Sequence, residues 1–294
     1  MDRRALVLGG LGLIGTGAFG CRRVLAGSPA AAFGLTGQLV QGGWARGLVP
    51  PGTARLALNG MRVPIAPDGR FFIAFDRDAG SVAHLVAAQA DGTLDDFAIP
   101  IAPRAWQIEH IPLGPRPGTP PSAEFARRRA AELAQINAAR AIEHPSEGWR
   151  QKMIWPAVGR ISGRFGSQRI YNGTPGAYHS GTDIATGTSG TPFVAPADGV
   201  VMLAAQSPFT LEGRLLMLDH GMGLNSAFLH CSDHAVAAGD VVHQGQHIGR
   251  IGATGRATGP HLHWSIKWGT ARLDPELLVP PPPDGSAKNP RARI

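Results

Sequence analysis

Two short segments of the chain carry side chains that can hold a metal ion. Near the C-terminus the sequence reads His261-Leu262-His263, and far upstream His179 and Asp183 are separated by three residues. Imidazole and carboxylate groups are the ligands that Zn²⁺ takes in catalytic sites, where three protein donors leave a fourth position for water. Because an open position allows chemistry, the two segments together indicate a catalytic zinc site.

A strand over residues 259–266 would place the two nearby histidines on one face of a sheet. Side chains alternate along a strand, so His261 and His263 share a face while the apolar residues beside them pack on the reverse. One imidazole can then hold the metal while the other reaches water or substrate. His179 and Asp183 lie in Gly-, Ser- and Thr-rich sequence, which predicts a loop and a strand start rather than a helix.

The sequence around these segments adds a specific order of short motifs. A lone histidine is more often a surface or hydrogen-bonded core residue than a ligand, so neither segment is specific by itself. The added motifs are Gly190-Thr191-Pro192-Phe193, Pro196-Ala197-Asp198-Gly199, Leu218-Asp219-His220-Gly221, Phe228-Leu229-His230 and Gly255-Arg256-Ala257-Thr258-Gly259-Pro260. With the two histidine segments, this order resembles the lysostaphin-like (LytM-type) zinc endopeptidases, which cut peptide cross-links in bacterial cell-wall peptidoglycan. The resemblance covers residues 151–278.

The resemblance implies roles for five side chains. It implies that His179, Asp183 and His263 bind one Zn²⁺ per chain, and that His230 and His261 are the paired catalytic histidines. The implied function is zinc-dependent hydrolysis of peptidoglycan cross-links by an antiparallel β-sheet domain. A non-catalytic wall-binding or amidase-activating protein on the same fold is the alternative, and the complete set of roles favours the enzyme. The bond that is cut and the oligomeric state stay open.

Four side chains in this region invite a chemical interpretation. We expect His261 to take a proton from the attacking water and His230 to stabilise the developing oxyanion or orient the water, although the two roles can be exchanged. Strand alternation points Cys231 away from His230, which predicts a small buried thiol. The Leu-Asp-His-Gly turn favours a structural hydrogen bond for His220.

Composition places the chain among mainly β proteins with more than one domain. The 294 residues are 43% hydrophobic and 17% charged, and the 40 glycines and 25 prolines favour short strands with many turns. Most of the net charge of +7 lies at the two ends, within residues 1–27 and 280–294. The sequence therefore gives poor support for a nucleic-acid partner.

The N-terminus resembles an export signal. Arg3 and Arg4 precede an apolar, Gly-rich run that is too short for a confident membrane span. The Arg pair is also typical of a twin-arginine signal. Cys21 is a candidate site of lipid attachment, and cleavage near Ala30 is the main alternative. We therefore expect residues 1–27 to be a signal or lipoprotein leader, and the mature protein to lie in the periplasm or cell envelope. A lipid anchor at Cys21 is the variant of this prediction in which the leader is a lipoprotein signal.

The rest of the chain divides into predicted segments by its turn signals. Short apolar runs between turns predict a β-sandwich over residues 28–113, which can bind wall, shield the cleft or act as a spacer. Residues 114–150 predict a linker and one helix that begins at Ser122 and packs through Phe125, Leu133 and Ile136. The metallopeptidase domain follows at 151–279, with a disordered tail at 280–294. The predicted fold class is therefore mainly β, with a sandwich, a linker helix and an antiparallel catalytic sheet.

Overall fold

A computed structural model describes residues 22–24, 32–112 and 122–281 of the chain. Cys21, Ala30, most of the predicted leader, the Pro-rich linker and nearly all of the predicted tail lie outside these residues. Within them the fold is mainly β, which confirms the predicted class. No helix among the described residues has the length and apolar character needed to span a membrane.

Short strands make up the N-terminal unit. They are β1 (Arg22–Val24), β2 (Thr36–Gln38), β3 (Trp44–Leu48), β4 (Thr53–Leu58), β5 (Met61–Val63), β6 (Arg70–Ala74), β7 (Val82–Gln89), β8 (Leu94–Pro100) and β9 (Ile108–Ile111). One sheet has the order β1-β8-β7-β4-β5 and a second has the order β2-β3-β6. The ring of Phe33 contacts Phe71 of the second sheet and Phe97 of the first, so the two sheets share one apolar interior.

Strand β6 is buried on both faces. Its residues Phe71, Phe72 and Ile73 are all fully buried, although a sandwich strand ordinarily alternates between core and solvent. Phe72 lies on the outer face, where its ring stacks on Trp44. The indole nitrogen of Trp44 donates to the backbone oxygen of Leu277, 2.9 Å away. The outer face of this sheet therefore packs against the C-terminal unit instead of solvent.

The C-terminal unit is built around one eight-stranded antiparallel sheet. The strands of the unit are β10 (Arg160–Gly163), β11 (Gln168–Tyr171), β12 (Thr174–Pro175), β13 (Thr182–Ala185), β14 (Pro192–Val194), β15 (Gly199–Ala204), β16 (Arg214–Asp219), β17 (Leu224–Cys231), β18 (Asp233–His234), β19 (Val241–Val242), β20 (His247–Arg250), β21 (Leu262–Trp268) and β22 (Ala271–Leu273). The main sheet has the order β10-β13-β21-β17-β16-β15-β19, and β22 pairs with the other end of β21. Two 3-10 turns, Gly148–Arg150 and Pro275–Leu277, flank this unit.

The main sheet has a packed reverse face and a front face that carries the candidate site. Leu262, Trp264 and Phe228 point to the reverse and are fully buried in the apolar core. His263 alternates with them and points to the front. Asp183 of β13 lies directly opposite His263 in the strand register. The order β13-β21-β17 thus brings the two distant histidine segments of the sequence together.

One long helix, α1 (Ala123–Arg140), connects the two units. The hydroxyl of Ser122 accepts a hydrogen bond from the backbone N–H of Phe125, which confirms the predicted N-cap. The predicted apolar stripe is largely wrong, because Phe125 and Leu133 are exposed and only Ile136 is buried. Ile136 packs on a small apolar cluster over the front of the sheet, formed mainly by β15, β16 and β17.

The two units interlock along several lines of contact. The guanidinium of Arg46 donates to the backbone oxygen of Gln151, and that of Arg104 pairs with Asp274 at 2.8 Å. Strand β9 of the N-terminal unit pairs in parallel with β11 of the C-terminal unit. The apolar core runs continuously from one unit into the other. The domain bounds given by the sequence stay predictions.

Candidate metal centre

Three polar side chains converge on the front of the main sheet. The Nδ1 atom of His263 lies 2.8 Å from Oδ1 of Asp183 and 3.1 Å from Nε2 of His179. The third distance, from His179 Nε2 to Asp183 Oδ1, is also 3.1 Å. The donor set joins a loop residue, the second residue of β13 and a residue of β21, as the sequence pattern predicts. These three predicted ligands are therefore brought together.

Hydrogen bonds fix the orientation and the charge of this group. His179 Nδ1 lies 3.1 Å from the backbone oxygen of Arg164, which accepts its proton, so Nε2 is the nitrogen that faces Asp183 and His263. Burial raises the pKa of Asp183, but hydrogen bonds from His179 and His263 outweigh it and hold that pKa well below its usual range. Burial is also the main cause that lowers the pKa of His263. Burial lowers the pKa of His179, but the hydrogen bond and the charge of Asp183 outweigh it and raise that pKa. The group thus offers one carboxylate and two imidazoles, which bind a metal ion in their neutral form.

The donor chemistry and spacing fit a zinc ion. A tetrahedral site with bonds of about 2.0–2.1 Å separates its donors by about 3.3 Å, within about half an ångström of the three distances here. Glycines keep space beside the donors. A Cβ atom at Gly163 would lie 2.4 Å from Oδ2 of Asp183, and one at Gly181 would lie 2.8 Å from Nε2 of His263. A side chain at either glycine position would therefore crowd the donor atoms.

The two remaining candidate histidines form a pair beside this group. The rings of His230 and His261 are 4.9 Å apart, and Nε2 of His261 is 3.7 Å from Oδ1 of Asp183. Each ring directs Nδ1 at a backbone oxygen 2.8 Å away, on Thr254 for His230 and on Gly259 for His261. Because those oxygens accept the Nδ1 protons, each ring in its neutral form presents an Nε2 lone pair. Burial lowers the pKa of His230, which favours its neutral form.

A β-bulge directs His230 to the front face. Phe228 and Cys231 both point into the core on the reverse face. The two residues between them therefore both lie on the front face, which breaks the strict alternation of a strand. His230 takes a positive φ of 65°, a left-handed conformation that a non-glycine residue rarely adopts. Burial raises the pKa of the free Cys231 thiol to about 12, so this buried thiol is not a nucleophile.

His220 belongs to the structural framework under the site. Its Nδ1 lies 2.8 Å from the backbone oxygen of Asp198, and its Nε2 lies 2.8 Å from the Ser226 hydroxyl. The same hydroxyl accepts from the indole nitrogen of Trp264 at 3.3 Å. His220 is fully buried, and burial lowers its pKa. The structural hydrogen bond expected at this turn is therefore present.

The three candidate donors, which we call the metal group, lie beside a cleft that is lined in part by the N-terminal unit. The cleft measures about 1050 Å³, and the candidate ligands His179 and Asp183 line it together with Gln107, Ile108 and Glu109. These last three residues lie at and just before β9, which continues the β11 edge of the cleft. Sequence reasoning missed them, because nothing in a short polar and apolar run indicates pairing with a strand some 60 residues away.

Contacts from the N-terminal unit also hold the turn on which His179 rests. The backbone of His179, between β12 and β13, exchanges hydrogen bonds with Gly166 and Ser167, in the turn between β10 and β11. Arg77, itself buried, donates to the backbone oxygen of Gly166 at 3.0 Å. Trp106 covers Gly166 so closely that a Cβ atom there would lie 2.2 Å from the indole. The position of one metal ligand therefore depends on both units.

Comparison with known proteins agrees with the site. Residues 177–275 match peptidase family M23. The chain is 40% identical over 108 residues to the peptidoglycan DD-endopeptidase ShyA of Vibrio cholerae, a match that covers 36% of this chain and 24% of ShyA. It is 35% identical over 106 residues to the DD-carboxypeptidase/endopeptidase Mpg of Neisseria meningitidis, covering 36% of this chain and 24% of Mpg. The matches thus span only about a quarter of these relatives.

A solved structure is similar over most of the chain. A Pseudomonas aeruginosa protein assigned to peptidase M23 is 27% identical, with a TM-score of 0.61. The similarity covers 82% of this chain and 94% of that one. It therefore extends beyond residues 177–275 into the N-terminal unit.

Proposed function

Because residues 177–275 form a peptidase family M23 domain, we propose that this protein is a zinc-dependent endopeptidase that hydrolyses peptide cross-links of bacterial peptidoglycan. The observation that carries the proposal is the convergence of three metal donors beside a histidine pair at an open cleft. The peptidoglycan activity named for ShyA and Mpg supports this substrate class. The substrate also fits the predicted export to the periplasm or cell envelope.

Three residues would hold the zinc ion, one per chain. His179 and His263 would supply nitrogen and Asp183 a carboxylate oxygen, which leaves a fourth position open. When bound, the ion supplies polarisation of the amide carbonyl and lowers the pKa of water. An amide is a poor electrophile and water a poor nucleophile, so both effects are needed.

The paired histidines would handle the protons. The Nε2 lone pair of His261 faces the metal group, so we assign it to accept a proton from the attacking water and deliver it to the leaving amine. Burial lowers the pKa of His230 and so favours the neutral ring, which presents a lone pair and supports the water-orienting role over the oxyanion role. The backbone oxygens of Thr254 and Gly259 would keep both rings in the tautomer that this chemistry requires.

The cleft supports an extended peptide as substrate. Residues of β9 and β11 line this cleft, and so do two of the proposed metal donors, His179 and Asp183. An irregular or cross-linked peptide can therefore lie across the site without threading through a closed cavity. The non-catalytic alternative leaves the tautomer-fixed histidine pair without a role.

The test is cleavage of purified peptidoglycan. We expect the zinc-loaded protein to release fragments that mass spectrometry identifies by a new amino and a new carboxyl terminus at one peptide bond. Treatment with EDTA should stop the release, and restoring zinc should return it. Stoichiometric zinc without cleavage of any wall type would instead favour the wall-binding alternative.

A further inference from the structure

A second cavity lies beside the metal group, between α1 and the front of the main sheet. It measures about 210 Å³, and its lining includes the proposed metal ligand His263 and also Ser180, which follows His179 in the chain. Four cationic residues line the same cavity, and one of them, Arg129, pairs with Glu212. The other three are Arg140 in the last turn of α1, Lys267 of β21 and Arg272 of β22. The cavity therefore places positive charge next to the proposed reaction centre.

The three cations are held together against their mutual repulsion. Lys267 and Arg272 lie directly opposite each other in the strand register, where like charges destabilise a sheet. Arg140 approaches from the helix, and its Nε atom is buried without a hydrogen-bond partner in the described structure. Burial and the charges of Arg140 and Arg272 lower the pKa of Lys267 to about 8. A bound anion would offset the repulsion between the cations, accept a hydrogen bond from Arg140 and favour the charged form of Lys267.

Nearby carboxylates are already engaged elsewhere. Glu212 is the acidic residue of the lining, and both of its oxygens accept from the guanidinium of Arg129, at 2.5 and 2.7 Å. Asp76 accepts the backbone N–H of Arg272 rather than its side chain. Among the described residues, no carboxylate forms an ion pair with Arg140, Lys267 or Arg272. Glu212 and Asp76 attract Arg140 and Lys267 without pairing with them, so the cavity keeps an excess of positive charge.

We propose that this cavity binds a free carboxylate of the substrate peptide, close to the bond that is cut. The inference rests on the proposed peptidase function, since it places the carboxylate by reference to His263. Arginine and lysine form their strongest hydrogen bonds with such ionised acceptors. The volume admits a short carboxylate-bearing group and not a further peptide chain. The carboxylate is either a chain terminus or a side-chain group, and the experiment separates the two.

Binding of matched acids and amides tests the proposal. N-acetyl-D-alanyl-D-alanine and its carboxamide probe a terminal carboxylate, and N-acetyl-D-glutamic acid α-amide and N-acetyl-D-glutamine α-amide probe a side-chain carboxylate. Isothermal titration is performed on the full chain with His261→Ala, which prevents turnover, in zinc-loaded and EDTA-treated forms. We expect one acid to bind at least about tenfold more tightly than its amide in both forms, as charge-assisted hydrogen bonds imply.

Three variants assign the preference to the cavity. Arg140→Gln combined with Lys267→Gln should reduce the acid-to-amide ratio to within about twofold, because both charge-assisted bonds are removed. Arg272→Gln changes a more exposed side chain of the same cluster, so it tests the same effect without placing a glutamine in a buried position. It should reduce the acid-to-amide ratio at least about threefold. Arg127→Gln removes an exposed cation from α1 outside the cavity and should leave the ratio unchanged.

Several results would overturn the assignment. Equal binding of acid and amide, or a preference that survives in both cavity variants, would show that these cations do not bind the carboxylate. A preference lost on EDTA treatment would place the carboxylate on the metal. Inorganic phosphate that competes as tightly as the acid would make this a general anion site. Because binding is read without turnover, a carboxylate preference in a protein that releases no wall fragments refutes the catalytic proposal alone.

Discussion

At the scale of single residues, alternation along a strand explains only part of the site. It predicts that His261 and His263 share a face, and both histidines do lie on the front of the sheet, one immediately before β21 and one within it. It does not predict His230, whose place on the front depends on a bulge and a left-handed backbone. Only the family resemblance indicated that residue, because a bulge leaves no periodic signal.

His230→Ala tests the partner role of the second histidine. We expect kcat for wall cleavage to fall by about 10²–10⁴, since a positioned proton-handling group is lost. Zinc content should stay at the wild-type level, because His230 is not among the three donors. Metal analysis and fragment release on the same preparation check both statements. A variant with wild-type kcat would remove His230 from the mechanism.

His220 should make stability fall at acid pH. Burial lowers its pKa in the folded state, so the unfolded chain binds a proton below about pH 6.5 that the folded chain does not. This residue should therefore lower the free energy of unfolding by up to about 1.4 kcal/mol per pH unit as the pH falls below that value.

Urea unfolding at pH 7.5 and 5.5 measures this effect. His220→Gln should show a smaller loss of stability between the two pH values than the wild type. His243→Gln changes an exposed ring and should keep the wild-type difference. Equal pH dependence in all three proteins would show that His220 does not carry the linked proton.

At the scale of elements, local sequence signals predicted where the helix and the strands lie better than they predicted which residues these elements use to pack. The N-cap at Ser122 sets the start of α1, and turn residues set the ends of β4 and β6. The docking of α1 was predicted wrongly, because the helix uses charged residues as well as Ile136. Buried Glu132 accepts from the backbone N–H and the hydroxyl of Thr210, at 2.7 and 2.6 Å. Such partners lie far along the chain and have no local signature.

Glu132→Ala should loosen α1 from the sheet. It leaves the Thr210 N–H without its acceptor, so we expect a loss of about 1–3 kcal/mol in the free energy of unfolding. Gln135→Ala on the exposed side of the same helix should change stability by less than about 0.5 kcal/mol. Chemical unfolding of both variants makes the comparison. Equal stability would mean that the buried carboxylate does not anchor the helix.

At the scale of the whole molecule, the N-terminal unit does more than hold the catalytic sheet at a distance. It supplies a cleft wall through Gln107, Ile108 and Glu109, and it supports the turn on which His179 rests through Arg77. The sequence allowed three roles for this unit, namely binding of the cell wall, shielding of the cleft and a spacer. It could not distinguish them, because contacts between distant segments depend on packing and not on local pattern. The contacts observed favour a structural part in the site itself.

This interlocking predicts a single unfolding transition for the two units. The shared core and the buried Arg77 couple them, so calorimetry should show one cooperative transition. Arg77→Ala removes the donor to the Gly166 oxygen and should cost about 2–4 kcal/mol, while Arg62→Ala on an exposed strand should cost little. Two separate transitions in the wild type would show that the units fold independently.

The central claim is a division of labour between two histidines of one short segment. Two variants, each measured for zinc content and for release of peptide fragments from purified peptidoglycan, test it most directly. We expect His263→Ala to lose both metal and cleavage, whereas His261→Ala should keep one zinc per chain and lose cleavage. A His261→Ala protein that still cuts the wall, or that no longer binds zinc, would contradict it.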